Sequence, residues 1–146
     1  MQVTLRLFAL VLLTACTILP RGSAQRAFLQ LSYVSGGDAP LFQAAKVFDG
    51  GVAEITSGEV SYFIVLPPDK LEELRAIVND PRFVRAFRTE DTCCDRANIT
   101  LLVISNNNEY SFRMLTSNEK PDAASYLDRI NAILLSAFGS RWNPPR

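Results

Sequence analysis

The chain has 146 residues, the size of one ordinary domain, and 48% of them are hydrophobic, which excludes a wholly disordered protein. Its 15 basic residues equal its 15 acidic ones, so no strong global field exists to hold nucleic acid, and we expect no nucleic-acid binding. No histidine occurs in the sequence. The lack of histidine removes nucleophile–histidine pairs and histidine-ligated metal sites. Because the chain is also small, we expect a protein that is not an enzyme and that uses no metal or cofactor.

The first residues have the pattern of a signal peptide. One cation, Arg6, precedes an apolar run over residues 7–13, which is shorter than the roughly 20 residues of a transmembrane helix. The tetrapeptide Leu-Thr-Ala-Cys, which ends at Cys16, resembles the lipobox of bacterial lipoproteins. The resemblance implies cleavage before Cys16 and attachment of lipid to its thiol. We therefore predict a signal peptide over residues 1–15 and a lipidated tether over residues 16–26.

The lipobox resemblance also implies a location in the cell envelope. Thr17 stands where lipoproteins retained in the inner membrane carry Asp, so the resemblance points to the outer membrane, with the domain facing the periplasm. Acyl chains would hold the domain to the membrane without a spanning helix. The alternative is a secreted or soluble periplasmic protein, cleaved in the small-residue stretch 22–24 just before Gln25.

Alternating segments predict four strands in the first part of the domain. In the first of them, Leu29, Leu31 and Tyr33 fall on one face, which is the pattern of a half-buried strand. Short turns, most of them containing glycine, separate the four segments and favour an antiparallel meander. The predicted strands cover residues 27–34, 41–48, 52–56 and 61–66.

The rest of the chain alternates between helical and strand patterns. After a proline start, Leu71, Leu74, Ile77 and Val78 fall on one helical stripe, and residues 83–87 continue at helical spacing as a short second turn. A strand is predicted over residues 99–104, and because it is apolar on both faces we expect it inside the sheet. A second strand is predicted over residues 109–115. The last predicted element is a helix from about Pro121 to a glycine cap at Gly139.

These elements predict an α+β fold. The expected order is ββββ-α-ββ-α, an antiparallel sheet of about six strands with two helices packed on one face. We predict a single domain over residues 27–139, followed by an extended C-terminal tail over residues 140–146.

Several short motifs lie in a fixed order along the predicted domain. They are the strand end Ser35-Gly36-Gly37, the helix leucines Leu66, Leu71 and Leu74, then Phe83, Asp95 before a strand hairpin, and Pro121 at the last helix. In this order they resemble emfourin-like proteins, which are small bacterial inhibitors of thermolysin-like metallopeptidases. The resemblance implies a metallopeptidase partner and a loop of Ser35, Gly36, Gly37 and Asp38 that contacts the cleft of that partner. The alternative for these four residues is a tight turn without a partner.

The adjacent cysteines Cys93 and Cys94 form the most unusual local pattern. A vicinal disulfide closes an eight-membered ring, strains the intervening peptide and is typical of redox switches or rigid loop corners. Two thiolates could also bind a soft ion such as Cu(I) in linear geometry. In the third interpretation, one cysteine packs as a small apolar residue while the other stays free or pairs between molecules.

Another repeated pattern is basic. Arg82, Arg85 and Arg88 recur every three residues and could form a ridge along a helix. The neighbouring acids Glu90 and Asp91 can neutralise such a ridge, which favours a solvated face.

Together these patterns predict a non-enzymatic, lipid-anchored envelope protein that binds another protein, with inhibition of a thermolysin-like protease as the sharper form of the hypothesis. One alternative is an accessory structural lipoprotein of an envelope assembly, which binds through the sheet face that the helices leave uncovered. Another alternative is a redox or metal sensor that uses Cys93 and Cys94.

Overall fold

The computed structural model describes residues 26–34, 42–88, 99–114 and 121–144. Six strands and three helices follow one another in these ranges, and a single 3-10 turn, Gly139–Arg141, follows the last helix. The elements are β1 (Ala27–Val34), β2 (Phe42–Phe48), β3 (Val52–Ser57), β4 (Val60–Val65), α1 (Pro68–Val78), α2 (Phe83–Phe87), β5 (Ile99–Ser105), β6 (Asn108–Met114) and α3 (Pro121–Phe138).

The six strands form one antiparallel sheet in the order β4-β3-β2-β1-β5-β6. Strands β1 to β4 are a meander, as the short turns predict, and β5 adds to the other side of β1. The α+β class and the predicted element order are confirmed. The predicted short turn over residues 83–87 is the separate helix α2, so the described chain has three helices where the sequence pattern predicts two.

The hydrophobic core lies between one face of the sheet and the helices. Leu29, Leu31 and Tyr33 of β1 are almost fully buried, as their alternation predicts. Leu74, Ile77 and Val78 of α1 are buried on the helical side of the same core, with Phe83 and Phe87 of α2 and a seven-residue stripe of α3. Each helix therefore packs its apolar side against the sheet, and every second residue of the strands faces the helices. Together these side chains exclude water from the centre of the domain.

The turns follow from backbone conformations that few residues tolerate. Between β5 and β6, Asn106 and Asn107 have φ angles of 49° and 65°, which asparagine adopts more readily than most residues. Gly51 ends the turn between β2 and β3 with φ of 83°, and a Cβ there would lie 3.2 Å from Cδ2 of Leu71. Gly139 has φ of 60° directly after α3, as predicted for a C-terminal cap.

The predicted inside position of β5 is confirmed, because β5 lies between β1 and β6. Its core side is fully buried at Ile99, Leu101 and Val103. On the opposite side, Leu102 and Ile104 are only half-buried. The apolar residues on both faces of β5 therefore reflect its central position in the sheet. They do not indicate helices packed on both faces of the sheet.

The segment after α3 contributes to the core, which the prediction of an extended tail does not anticipate. Trp142 has extended backbone angles, yet its side chain is 0% exposed. Its ring contacts Tyr33 edge to face at a centroid distance of 5.9 Å, and its Nε1 donates a hydrogen bond to Oδ1 of Asn131 at 3.2 Å. This segment closes the core over the centre of the sheet.

Candidate binding surfaces

The predicted lipid, loop and cysteine sites lie outside the described residues. This is true of Cys16, of the loop residues Ser35, Gly36, Gly37 and Asp38, and of the pair Cys93 and Cys94. The structure does show where the chain leaves and re-enters the sheet on either side of these segments.

One end of the sheet carries the strand ends next to the predicted loop and the cysteine pair. Val34 pairs with Phe42, so the segment that holds residues 35–38 starts and finishes on neighbouring strands. The segment that holds Cys93 and Cys94 re-enters the sheet at Ile99, which pairs with Tyr33. The two predicted sites are therefore attached to adjacent strands at the same end of the domain.

The predicted tether is attached to the opposite end of the sheet. Arg26 immediately precedes β1, whose first residue, Ala27, pairs with Phe48 at the end of β2. Arg26 also forms an ion pair with Glu109 at the start of β6, with a nitrogen–oxygen distance of 2.6 Å. Because a strand is extended, the eight residues of β1 separate the tether from the segment that holds residues 35–38.

The sheet face away from the helices, here called the open face, has a polar centre. Lys46 and Glu54 lie opposite each other on β2 and β3, with a nitrogen–oxygen distance of 3.5 Å. Thr56 and Ser61 are hydrogen-bonded side by side on β3 and β4 at 3.0 Å. The open face therefore has the alternating polar composition of a sheet surface that contacts water.

Large apolar side chains are exposed along β4. The exposed fractions of Val60, Phe63 and Val65 are 52%, 63% and 74%. Phe63 and Val65 point to the open face, because their neighbours Tyr62 and Ile64 pack against the core. Phe63 and Val65 thus place two exposed apolar side chains on one edge of the open face, which makes this edge a candidate interaction surface.

A groove of about 620 Å³ lies between α2 and α3. Arginines from both helices, Arg82, Arg85 and Arg129, line it together with Asp80 and Asp122. Arg82 is paired with Asp80 but keeps 81% of its side chain exposed. Arg82 and Arg85 of the predicted basic ridge thus form a solvated wall of this groove, and the acid that pairs with Arg82 is Asp80. The predicted neutralising acids Glu90 and Asp91 lie outside the described residues. Arg88 lines a smaller groove on the other side of Arg85.

Asp80 is the polar centre of this groove. Its Oδ1 accepts a hydrogen bond from the backbone N–H of Arg82, and its Oδ2 accepts one from the hydroxyl of Tyr126, both at 2.8 Å. The Arg82 N–H first, and the Tyr126 hydroxyl next, hold the pKa of Asp80 below its usual value. Burial, and then the Asp80 carboxylate, raises the pKa of Tyr126 above its usual value. Both effects stabilise a charged Asp80 and a neutral Tyr126 at neutral pH.

Two further observations concern metals and membranes. Within the four described ranges, no three His, Cys, Asp or Glu residues lie close enough together to hold a metal ion. No helix in the same ranges is both long enough and apolar enough to span a bilayer.

Two of these features were not predicted from the sequence. One is the role of Asp80, because its contact with Tyr126 spans 46 residues of chain. The exposure of β4 was missed because its composition is that of any strand. The signal that was available is the lack of any charged residue between Val60 and Val65.

The sequence matches no protein-family model and no curated protein.

Proposed function

We propose that this protein is a lipid-anchored component of the bacterial cell envelope that acts by binding another protein, without catalysing a reaction. In the sharper form of this proposal, the partner is a secreted or envelope metallopeptidase of the thermolysin type. The segment with Ser35, Gly36, Gly37 and Asp38 would occupy the cleft of that enzyme and exclude its substrate.

The observation that supports the proposal is the distance between the two ends of strand β1. The tether enters at Ala27, and the segment with residues 35–38 leaves after Val34, at the other end of the strand. A lipid on Cys16 and a partner on residues 35–38 would thus act at opposite ends of one rigid strand. This arrangement supports simultaneous anchoring and binding, because neither event has to displace the other.

The test of inhibition is a titration of a thermolysin-like metallopeptidase with the chain from Gln25 onward. We expect residual activity against a peptide substrate to fall linearly and to reach its minimum near equal molar amounts, as for a tight binder. Replacing Gly37 by Trp is expected to abolish this inhibition, because a bulky side chain would prevent close approach of the loop to the cleft.

The matched control is the double variant Cys93→Ser with Cys94→Ser, which should inhibit as well as the unmodified chain. If the Gly37 variant inhibits normally while the cysteine variant does not, the cysteine segment rather than residues 35–38 carries the activity. If full enzyme activity persists at large excess of a chain with a normal circular dichroism spectrum, the inhibitor hypothesis is wrong.

The anchor is tested in cells that express the full chain and are fed radioactive palmitate. We expect label on the unmodified protein and none on the Cys16→Ser variant, because the thiol is the attachment point in the predicted lipobox. An unlabelled protein whose N-terminus is Gln25 would contradict the lipid anchor and favour a soluble, exported protein.

A second candidate function is that of an accessory lipoprotein in an envelope assembly. The observation that favours it is the exposure of Phe63 and Val65 on the open face, where an assembly partner would bury apolar surface. In this case the titration leaves the peptidase fully active, while Phe63→Ser weakens the assembly.

A further inference from the structure

The two edges of the sheet are built differently. Edge strands normally carry charges, prolines or bulges that prevent pairing with another strand. On β6, Glu109 and Arg113 are exposed, and Glu109 is bonded to Arg26. On β4, all six residues are uncharged and none is proline, and its pairing with β3 runs from Val52–Val65 to Ser57–Val60 without a bulge.

The backbone of β4 presents a regular row of hydrogen-bonding groups on the side away from β3. The N–H of Leu66 donates to the carbonyl of Gly51 at 2.8 Å, so the residue after β4 directs its backbone toward the β3 side. In an antiparallel pair this direction alternates along the strand. Ile64, Tyr62 and Val60 therefore bond toward β3, whereas Ser61, Phe63 and Val65 direct their N–H and carbonyl groups away from it.

The same three outward-bonding residues place their side chains on the open face, where Phe63 and Val65 are the most exposed apolar side chains of the strand. Among the described elements, β3 is the sole neighbour of β4 in the sheet. β4 therefore carries both outward-directed backbone hydrogen-bonding groups and exposed apolar side chains along the same edge of the sheet.

We propose that β4 pairs antiparallel with β4 of a second copy of this chain, about a two-fold axis at Phe63, to form one continuous sheet across the dimer. The partner is a second copy because the edge is complementary to itself. In this register Phe63 lies opposite Phe63 of the other copy, and Ser61 lies opposite Val65 in both directions. Six backbone hydrogen bonds form, and the contact is isologous, as closed dimers require.

The charges near the strand agree with this register. Glu59, the exposed residue before β4, lies opposite Pro67 of the second copy rather than opposite another acid. No like charges therefore lie directly opposite each other in this register, which is the arrangement that destabilises strand pairs most. The two Phe63 rings, each 63% exposed in one copy, shield each other from water on the open face. The inference is independent of the proposed inhibition, because the axis at Phe63 lies in a different strand from the two ends of β1. It assigns Phe63 and Val65 to a second copy, whereas the second candidate function assigns them to an assembly partner.

The first test is cross-linking of the full chain in bacterial cells treated with a membrane-permeant thiol oxidant, in a background with Cys93→Ser and Cys94→Ser. Across a hydrogen-bonded antiparallel pair the Cα atoms are about 5.5 Å apart, which is within the range of a disulfide. We expect Phe63→Cys to convert most of the protein to a disulfide-linked dimer on a non-reducing gel. The matched control, Arg113→Cys, places a cysteine on the open face of the other edge strand and is expected to stay monomeric.

The second test introduces opposite charges at residue 63, which lies on the proposed two-fold axis. Two differently tagged full-length chains are co-expressed, carrying Phe63→Lys or Phe63→Glu. We expect the Lys and Glu chains to co-purify about tenfold more than two Lys chains or two Glu chains, because residue 63 faces its own copy. This rescue cannot result from misfolding, since each variant chain is the same in the mixed and the like-charged experiments.

Three results would overturn the inference. The first is a Phe63→Cys chain that resists proteolysis as the parent does but stays monomeric. The second is equal co-purification of mixed and like-charged chains. The third is a Phe63→Cys chain that cross-links to a different protein in place of its own copy, which would assign the edge to a foreign strand.

Discussion

Replacing Trp142 by Ala is expected to lower the free energy of unfolding by about 3–5 kcal/mol, although the residue lies outside every helix and strand. Its side chain is 0% exposed and packs on Tyr33 of the central strand β1. Removing the indole therefore opens a cavity next to the centre of the sheet. The measurement is urea-induced unfolding followed by circular dichroism, with the midpoint and slope of both proteins compared.

Trp142→Phe separates packing from hydrogen bonding at this position. The indole Nε1 donates to Oδ1 of Asn131, whose Nδ2 in turn donates to the hydroxyl of Tyr33 at 2.7 Å. Phe keeps most of the ring but removes the first donor, so we expect a smaller loss of about 1–3 kcal/mol. A loss below about 1 kcal/mol for Trp142→Ala would contradict the placement of this segment in the core.

Replacing Tyr126 by Ala is expected to have the second largest effect, a loss of about 3 kcal/mol in the free energy of unfolding. The ring of Tyr126 packs edge to face on Phe83 at a centroid distance of 5.2 Å and also contacts Phe87 at 6.3 Å. These contacts attach the short helix α2 to α3. Thermal unfolding at pH 7 is the measurement, and Tyr62→Ala on the edge strand β4 is the control with the smaller expected loss.

Tyr126→Phe is expected to change how stability depends on pH. The pKa of Asp80 lies below its usual value of about 3.8 in the folded protein, so the carboxylate contributes stability above that value. This contribution is lost as the pH falls through the lower pKa of the folded state. Tyr126→Phe removes one of the hydrogen bonds that lower this pKa. The variant should therefore be less stable than the parent at pH 7, and the two should converge toward pH 2.

Parallel stability curves for the parent and Tyr126→Phe between pH 7 and pH 2 would contradict this role of the hydrogen bond. The conservative variant Asp80→Asn gives an independent check, because it removes the titrating group while keeping a similar side-chain shape. In that variant, adding Tyr126→Phe should cause no further change in the pH dependence.

The faces of the strands and helices could be predicted from the sequence because they depend on spacing along the chain. Leu29, Leu31 and Tyr33 are buried as their twofold alternation predicts, and Leu74, Ile77 and Val78 are buried as their helical spacing predicts. The turns were predictable for the same local reason, because glycine and asparagine tolerate backbone angles that other residues avoid.

The candidate surfaces were predictable only in part. The motifs at Cys16, at residues 35–38 and at Cys93 and Cys94 are sequence patterns that fall outside the described residues, so their roles stay predictions. What the structure adds is the placement of the strand ends beside them. The chain order alone did not show that Val34 and Ile99 lie at the same end of the sheet, because the pairing of β1 with β5 joins segments separated by about 70 residues.

The sequence by itself determined the α+β class, the order of the strands and of the two longer helices, and the buried faces of β1 and α1, since these follow from local periodicity and turn chemistry. Only the tertiary structure decided that β4 is an edge strand, that Trp142 belongs to the core and that Asp80 bonds to Tyr126. Each of these facts depends on contacts between residues far apart in the chain. Such contacts form where packing is best over the whole domain, and no short window of sequence contains both partners.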